Sequence, residues 1–239
     1  MKVDVVAIGA HPDDVEMIAG GTVAKLTALG RSVVIIDLTR GEMGTRGSPA
    51  SRNEEAAAAA GILGVSERIN LDLGDGRLAD TRENRTILIE HLRRYRPALV
   101  LTHHWEDLHP DHCAAGELMK SIMYPLGFEK FPARGEPYRP NEVLFFMAHF
   151  PFLPSFIVDV TEHFETKMKA VGCFRSQLYD PASKERATGI SQPEFTRILE
   201  ARACYFGSQI HRSYGEPFLV RRPVPVDDPV ALYEKYPKV

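Results

Sequence analysis

Val3-Asp4-Val5-Val6-Ala7-Ile8-Gly9-Ala10-His11-Pro12-Asp13-Asp14 is the stretch that decides the fold. An apolar, β-branched run of strand length ends in a histidine, a proline and two carboxylates. The apolar-periodic segment from about Val15 to Leu29 then follows, closed by Gly30. That is a buried strand feeding a helix, with polar side chains at the carboxyl end of the strand, where open α/β sheets bind their ligands. The pattern recurs once. Ala98-Leu99-Val100-Leu101-Thr102 reads as a second buried strand, and His109-Pro110-Asp111-His112 follows it. Taken singly, either motif reads as a turn or a helix cap, since proline fixes φ and aspartate bonds nearby amides. Asp13, Asp14 or Asp111 would each serve as such a cap. Two strand-end clusters of the same chemical type argue instead for one shared site.

Outward from these anchors the chain alternates strand and helix. Strands are expected at 3–9, 32–38, 68–71 and 98–102, and helices at 15–29, 51–63, 81–95 and from Asp111 onward. Ser51 with Glu54 three residues later has the form of a capping box. The glycine-rich segment 39–50 is longer than the usual ~2–6-residue connection, which points to a functional loop. Beyond Tyr124 the pattern loosens. Residues 125–141 read as a surface excursion, strands at 143–147 and 156–159 as sheet-edge strands, and 161–174 and 193–205 as helices. The proline-bearing tail 216–239 is expected to be extended. The fold class is therefore α/β: a Rossmann-like, mostly parallel sheet with helices on both faces. A single domain over 1–239 is expected, with its core at about 3–220.

The two clusters supply three histidines (His11, His109, His112) and three aspartates (Asp13, Asp14, Asp111). Imidazole and carboxylate are ordinary zinc ligands, and a catalytic zinc usually keeps about three protein ligands plus a water. Groups are left over for proton transfer, a set suited to amide or ester hydrolysis. A dinucleotide-binding protein is the main competitor, but Gly9-Ala10-His11-Pro12-Asp13-Asp14 lacks the glycines of GxGxxG. Its carboxylates would also repel a pyrophosphate.

HPDD at residues 11–14 and HPDH at 109–112 resemble the signature motifs of the LmbE/PIG-L-type N-deacetylases. The resemblance extends through Thr39–Gly47, Arg52-Asn53-Glu54-Glu55-Ala56, Arg96-Pro97, Val158-Asp159-Val160-Thr161, Ser176-Gln177, Tyr205-Phe206-Gly207 and Gly215–Phe218. It implies a zinc (Zn2+) enzyme that removes acetyl from an N-acetylglucosamine conjugate. The branch it most resembles acts on N-acetylglucosaminyl malate in bacillithiol biosynthesis. Another N-acetylglucosaminyl conjugate or a chitobiose-like sugar is the alternative, and a non-catalytic zinc- or sugar-binding protein is the alternative from another class. Under the resemblance His11, Asp14 and His112 bind the metal, and Asp13 is the general base that takes a proton from the attacking water. His109 stabilises the oxyanion or acts as the acid, with Asp111 orienting and charging it. Arg52 and, less directly, Arg46 bind substrate. The same ligands also accept Fe2+ and other divalent transition metals.

Composition sets the outer limits. The 239 residues carry 29 Lys and Arg against 32 Asp and Glu, and a net charge of −3 gives no pull toward nucleic acid or anionic membrane. No apolar run reaches the roughly 18 residues of a membrane span. Met1-Lys2-Val3-Asp4 leads straight into the first strand, so a cytoplasmic protein is expected. Three cysteines without a CxxC pattern read as reduced thiols, with Cys113 a buried structural one. A small-molecule partner and a homo-oligomer complete the expectations. Trp105 is a weak sugar-stacking candidate, and His211 lies where related enzymes close their pocket.

Overall fold

A computed structural model describes residues 2–234. The chain runs β1 (Val5–Gly9), α1 (Asp14–Ala28), β2 (Val33–Asp37), α2 (Pro49–Leu63), β3 (Glu67–Asn70), α3 (Arg82–Tyr95), β4 (Leu99–His103) and α4 (Pro110–Ile122). It continues with β5 (Glu142–Phe146), β6 (Phe156–Asp159), α5 (Phe164–Val171), α6 (Phe195–Ser208), β7 (Gly215–Leu219) and α7 (Pro229–Tyr233). One seven-stranded sheet results, in the order β3-β2-β1-β4-β5-β7-β6. β3 to β5 are parallel, and β7 runs antiparallel between β5 and β6.

The period-two alternation of the strands sorts their side chains onto two cores. Val6, Ile8, Val34, Ile36, Val100, Val143 and Phe145 face α3 and α4, where Leu88, Leu92, Tyr95, Leu118 and Ile122 cover them. Val5, Ala7, Val33, Ile35, Leu101, Leu144 and Phe146 face α1 and α2, with Val15, Ala19, Val23, Ala56 and Ala59. The small alanines of α2 bring that helix close to the sheet. Because α1 leaves β1 toward one face and α4 leaves β4 toward the other, a crevice opens between the carboxyl ends of these neighbouring strands. Both histidine motifs sit at this topological switch point.

Several boundaries differ from the sequence reading. α2 starts at Pro49, not Ser51. Ser48 is its cap, its Oγ accepting from Ser51 N–H at 3.1 Å while its own N–H donates to Ser51 Oγ at 2.8 Å. Proline at the first helical position, where no N–H is needed, fixes this earlier start. β5 lies inside the sheet, and β6 alone of that pair is an edge. The helix expected over 161–174 is a 3₁₀ turn at Thr161–His163 followed by the shorter α5. The tail expected to be extended over 216–239 is so at its start, where it supplies an interior strand, but α7 departs from it: Asp228 caps a helical turn that opens at Pro229. Pro217 pairs with Ile157 of β6 but lies beyond the β5 register, which reaches only Phe218 and Leu219, so its missing N–H costs no bond there. Pro237 lies outside the described residues. No helix among the described residues is long and apolar enough to cross a membrane.

Candidate active site

The site grows from the two strand ends. After β1 the chain turns so sharply that Asp13 adopts φ 115° at the head of α1, a backbone conformation rare for any residue but glycine. Asp13 makes no side-chain cap bond, so its carboxylate stays out of the helix end. It instead accepts from Arg52 Nη2 at 2.9 Å, and both residues are buried. The same Nη2 also donates to the Pro12 carbonyl and Nη1 to that of Gly41, while Nε is buried without a hydrogen-bond partner among the described residues. Gly41 permits this: its φ is +65°, and a Cβ there would lie 1.9 Å from Arg52 Nη1.

Asp14 turns the other way. Its Oδ2 accepts from His11 N–H at 2.7 Å and lies 3.4 Å from His11 Nδ1, while Oδ1 is 3.2 Å from His112 Nε2. The ring nitrogens offered by His11, His109 and His112 all lie within 4.8 Å of one another. Asp14, His103 and His112 form a second such group, and His112 belongs to both; the expected trio of His11, Asp14 and His112 is spread over these two overlapping groups, whose imidazole and carboxylate donors suit a divalent transition cation. The outer partners fit as well. His112 Nδ1 is held by Asp107 Oδ1 at 3.0 Å, and His11 Nε2 by Asp75 at 3.0 Å and Asp111 at 3.3 Å. Carboxylates behind metal-ligating imidazoles fix the ring and leave the opposite nitrogen free for the ion.

Electrostatics separate the two adjacent aspartates. Burial lifts the Asp13 carboxyl to about 7, with Arg52 opposing and Asp14 adding to the rise. Burial acts on Asp14 too, but His112 and His103 overcome it and hold that carboxyl well below the usual range. For His112 burial is outweighed by Asp14 and Asp107, and its imidazole rises to about 9. Burial, followed by the neighbouring His11 and His112, lowers His109. At neutral pH, without a cation, Asp14 is therefore a fixed anion while Asp13 sits at its titration point.

Not every expected contact forms. Asp111 does not reach the His109 ring with its side chain. As a first-turn residue of α4 it aims its carboxylate at the 75–78 loop, accepting from Gly76 N–H at 2.7 Å and Leu78 N–H at 3.2 Å and reaching His11. Its backbone N–H donates to His109 Nδ1 at 3.2 Å, so neutral His109 carries its proton on Nε2. Arg46 is buried away from the cavity, its Nε donating to the Ser176 carbonyl at 2.9 Å. Trp105 packs edge-on to Phe145, against His104 and under Lys120, so it is no sugar platform. Cys113 is half-buried, its Sγ near the Asp107 carbonyl, and His211 lies outside the cavity lining. Sequence reading missed Asp75, Asp107 and His149. Asp107 is the hub of its side of the site: beyond His112, it accepts from His109 N–H at 3.0 Å, His149 N–H at 2.9 Å and His149 Nδ1 at 2.7 Å. Strand-end position was the available signal, since Asp75 follows β3 and Asp107 follows β4.

The cavity over this centre has a volume of about 790 Å³. Asp13, His109 and Arg52 line it beside the three donors, and α6 forms its far wall.

Comparison with known proteins places this geometry. The family profile described as PIG-L, GlcNAc-PI de-N-acetylase, matches residues 6–123, the part that carries both motifs. Diacetylchitobiose deacetylase of Thermococcus kodakarensis is 34% identical over 227 residues, 89% of this chain and 80% of that protein. The chain belongs to the PIG-L de-N-acetylase family. A conserved Thermus thermophilus protein of known structure superposes with a TM-score of 0.86 at 38% identity, covering 94% of this chain and 97% of that one. A PIG-L relative from Pseudomonas putida, 28% identical over 71% of this chain and 72% of its own length, is a 4-oxalmesaconate hydratase. Family membership alone therefore does not choose the reaction, and the site must.

Proposed function

We propose that this PIG-L member is a zinc-dependent hydrolytic N-deacetylase of an N-acetylglucosamine conjugate. The observation that carries the reading is the buried Asp13, left uncommitted to the helix end and paired with Arg52, beside a donor set of His11, Asp14 and His112. A zinc ion held there supplies the charge that acidifies a water and polarises the amide carbonyl. Asp13 takes the proton of the attacking water on its carboxylate, and Arg52 holds that carboxylate in place. Neutral His109, protonated at Nε2, donates to the oxygen that gains charge as the amide carbon becomes tetrahedral. The proton collected by Asp13 is then available to the departing nitrogen. Asp75, Asp111 and Asp107 keep the two histidine ligands in their tautomers.

A neutral aglycone suits the cavity better than malate, the aglycone of the bacillithiol intermediate. Its lining arginines are Arg52 and Arg202, and Arg202 already donates to the Met147 and Ala148 carbonyls. Arg52 ties Nη2 to Asp13 and Pro12 and Nη1 to Gly41, which leaves only its buried Nε, so no complete fork faces a dicarboxylate. Free amine and acetate should appear together from N-acetylglucosamine conjugates, cease with a chelator and return with zinc. Release that a chelator leaves untouched would refute the metal-dependent reading.

A further inference from the structure

The far wall of the cavity is chemically unlike the near one. Phe195, Ile198, Leu199 and Phe206 of α6 line it, the last three lying three, four and eleven residues on from Phe195 and so on one helix face, and Met17 and Ile18 of α1 join them from beside Asp14. Three polar side chains interrupt this surface: Tyr205 carries its hydroxyl at the exposed rim, and the two deeper ones are committed. Arg202 is spent on the loop carbonyls, and His149 gives its Nδ1 to Asp107, leaving one ring nitrogen. A second sugar ring placed here would leave most of its hydroxyls without partners. A carboxylate would meet no free cation. At about 790 Å³ the cavity is in the upper part of the ~300–1,000 Å³ range of pockets that bury drug-sized ligands.

We infer that this arm is a binding subsite for an apolar, alkyl or aryl group carried on the anomeric carbon of the amino sugar. The inference rests on the deacetylase reading: if the acyl group removed is acetyl, the large apolar arm is left for the aglycone. The arm is continuous with the reacting residues, so its occupant is part of the substrate. Ile198 and Tyr205, both largely exposed, stand at its rim, where such a group enters.

The test is acetate release by the zinc-loaded enzyme from methyl, butyl, hexyl and octyl N-acetylglucosaminides, each below its critical micelle concentration. Diacetylchitobiose, N-acetylglucosaminyl malate and N-octanoylglucosamine complete the set. The expected kcat/KM rises about two- to fourfold per methylene until the arm is filled, and exceeds that for diacetylchitobiose and the malate conjugate. Ile198→Ser should flatten this slope, and Ile198→Phe should make it level off at a shorter chain. A flat series with acetate still released overturns the inference and leaves the deacetylase reading standing. Faster loss of octanoyl than of acetyl moves the arm to the acyl side and overturns it. A flat series in which Ile198→Ser instead changes the oligomeric state assigns the α6 face to a second copy, again overturning it. No acetate from any substrate defeats the deacetylase reading itself.

Discussion

Replacing Arg52 by methionine separates two roles that the sequence does not distinguish. As a substrate residue, Arg52 would act on KM for anionic aglycones. As placed here, it acts on Asp13. Two unit charges 2.9 Å apart interact by about 6 kcal/mol at an effective dielectric of ~20. Desolvation offsets most of that, and a hydrogen bond between charged groups nets about 1.5–3 kcal/mol. At about 1.4 kcal/mol per tenfold, Asp13 becomes harder to ionise by about one to two pH units. The base must be ionised to act, so kcat/KM on the acidic limb should fall roughly 10- to 100-fold, and the loss should shrink as pH rises. The direction holds whatever other charges are fixed nearby, because removing a cation always disfavours the carboxylate. The assay is kcat/KM for an uncharged N-acetylglucosaminide against pH, for wild type and Arg52→Met. An unshifted acidic limb with a selective rise in KM for the malate conjugate would refute this reasoning and restore a substrate-binding arginine.

Three further outcomes follow from the same geometry. Asp107→Asn should weaken metal affinity by about 10- to 100-fold, measured by competition with a chromophoric chelator, because His112 loses the carboxylate that fixes its tautomer. In the metal-free protein His112 holds its proton up to about 9, and His11 is also raised well above the ordinary range because Asp111, Asp14 and Asp75 outweigh its burial, so zinc uptake must release two; apparent affinity should climb by up to about a hundredfold per unit from pH 7 upward, with proton release visible in calorimetry. Glu216→Ala should cost about 3–5 kcal/mol in urea unfolding, because it strands buried Lys167 and the N–H groups of Gly21 and Thr22. The Lys167→Met, Glu216→Ala double variant should recover part of that loss.

The parallel half of the molecule was legible because its strands are continuous apolar runs, each ended by polar residues, and the sheet order then brings the ends of β1 and β4 together. The antiparallel end was not. Pro217 argues against a strand by local rules, and only the short reach of β5 makes it tolerable. Glu216, which accepts from the N–H groups of Gly21 and Thr22 inside α1, is a tertiary partner that no spacing announces. The two short motifs were enough to bring His11, Asp13, Asp14, His109 and His112 to one cavity. The directions of Asp111 and Arg52 were not legible, because each is set by what crosses from another element: the 75–78 loop for Asp111, and the β1–α1 turn for Arg52. Asp75 and Asp107 escaped notice as single acids in loops, although both share the strand-end position that marked the other site residues.

The central claim is hydrolysis of an amide by water at this site. It is tested most directly by running the zinc-loaded enzyme on an N-acetylglucosaminide in heavy-oxygen water and analysing both products by mass spectrometry. The account predicts one labelled oxygen in the acetate, none in the amino sugar, and loss of both products in Asp13→Asn with its metal retained. Label entering the carbon skeleton of an acceptor with no acetate formed, or full turnover by Asp13→Asn, would contradict it.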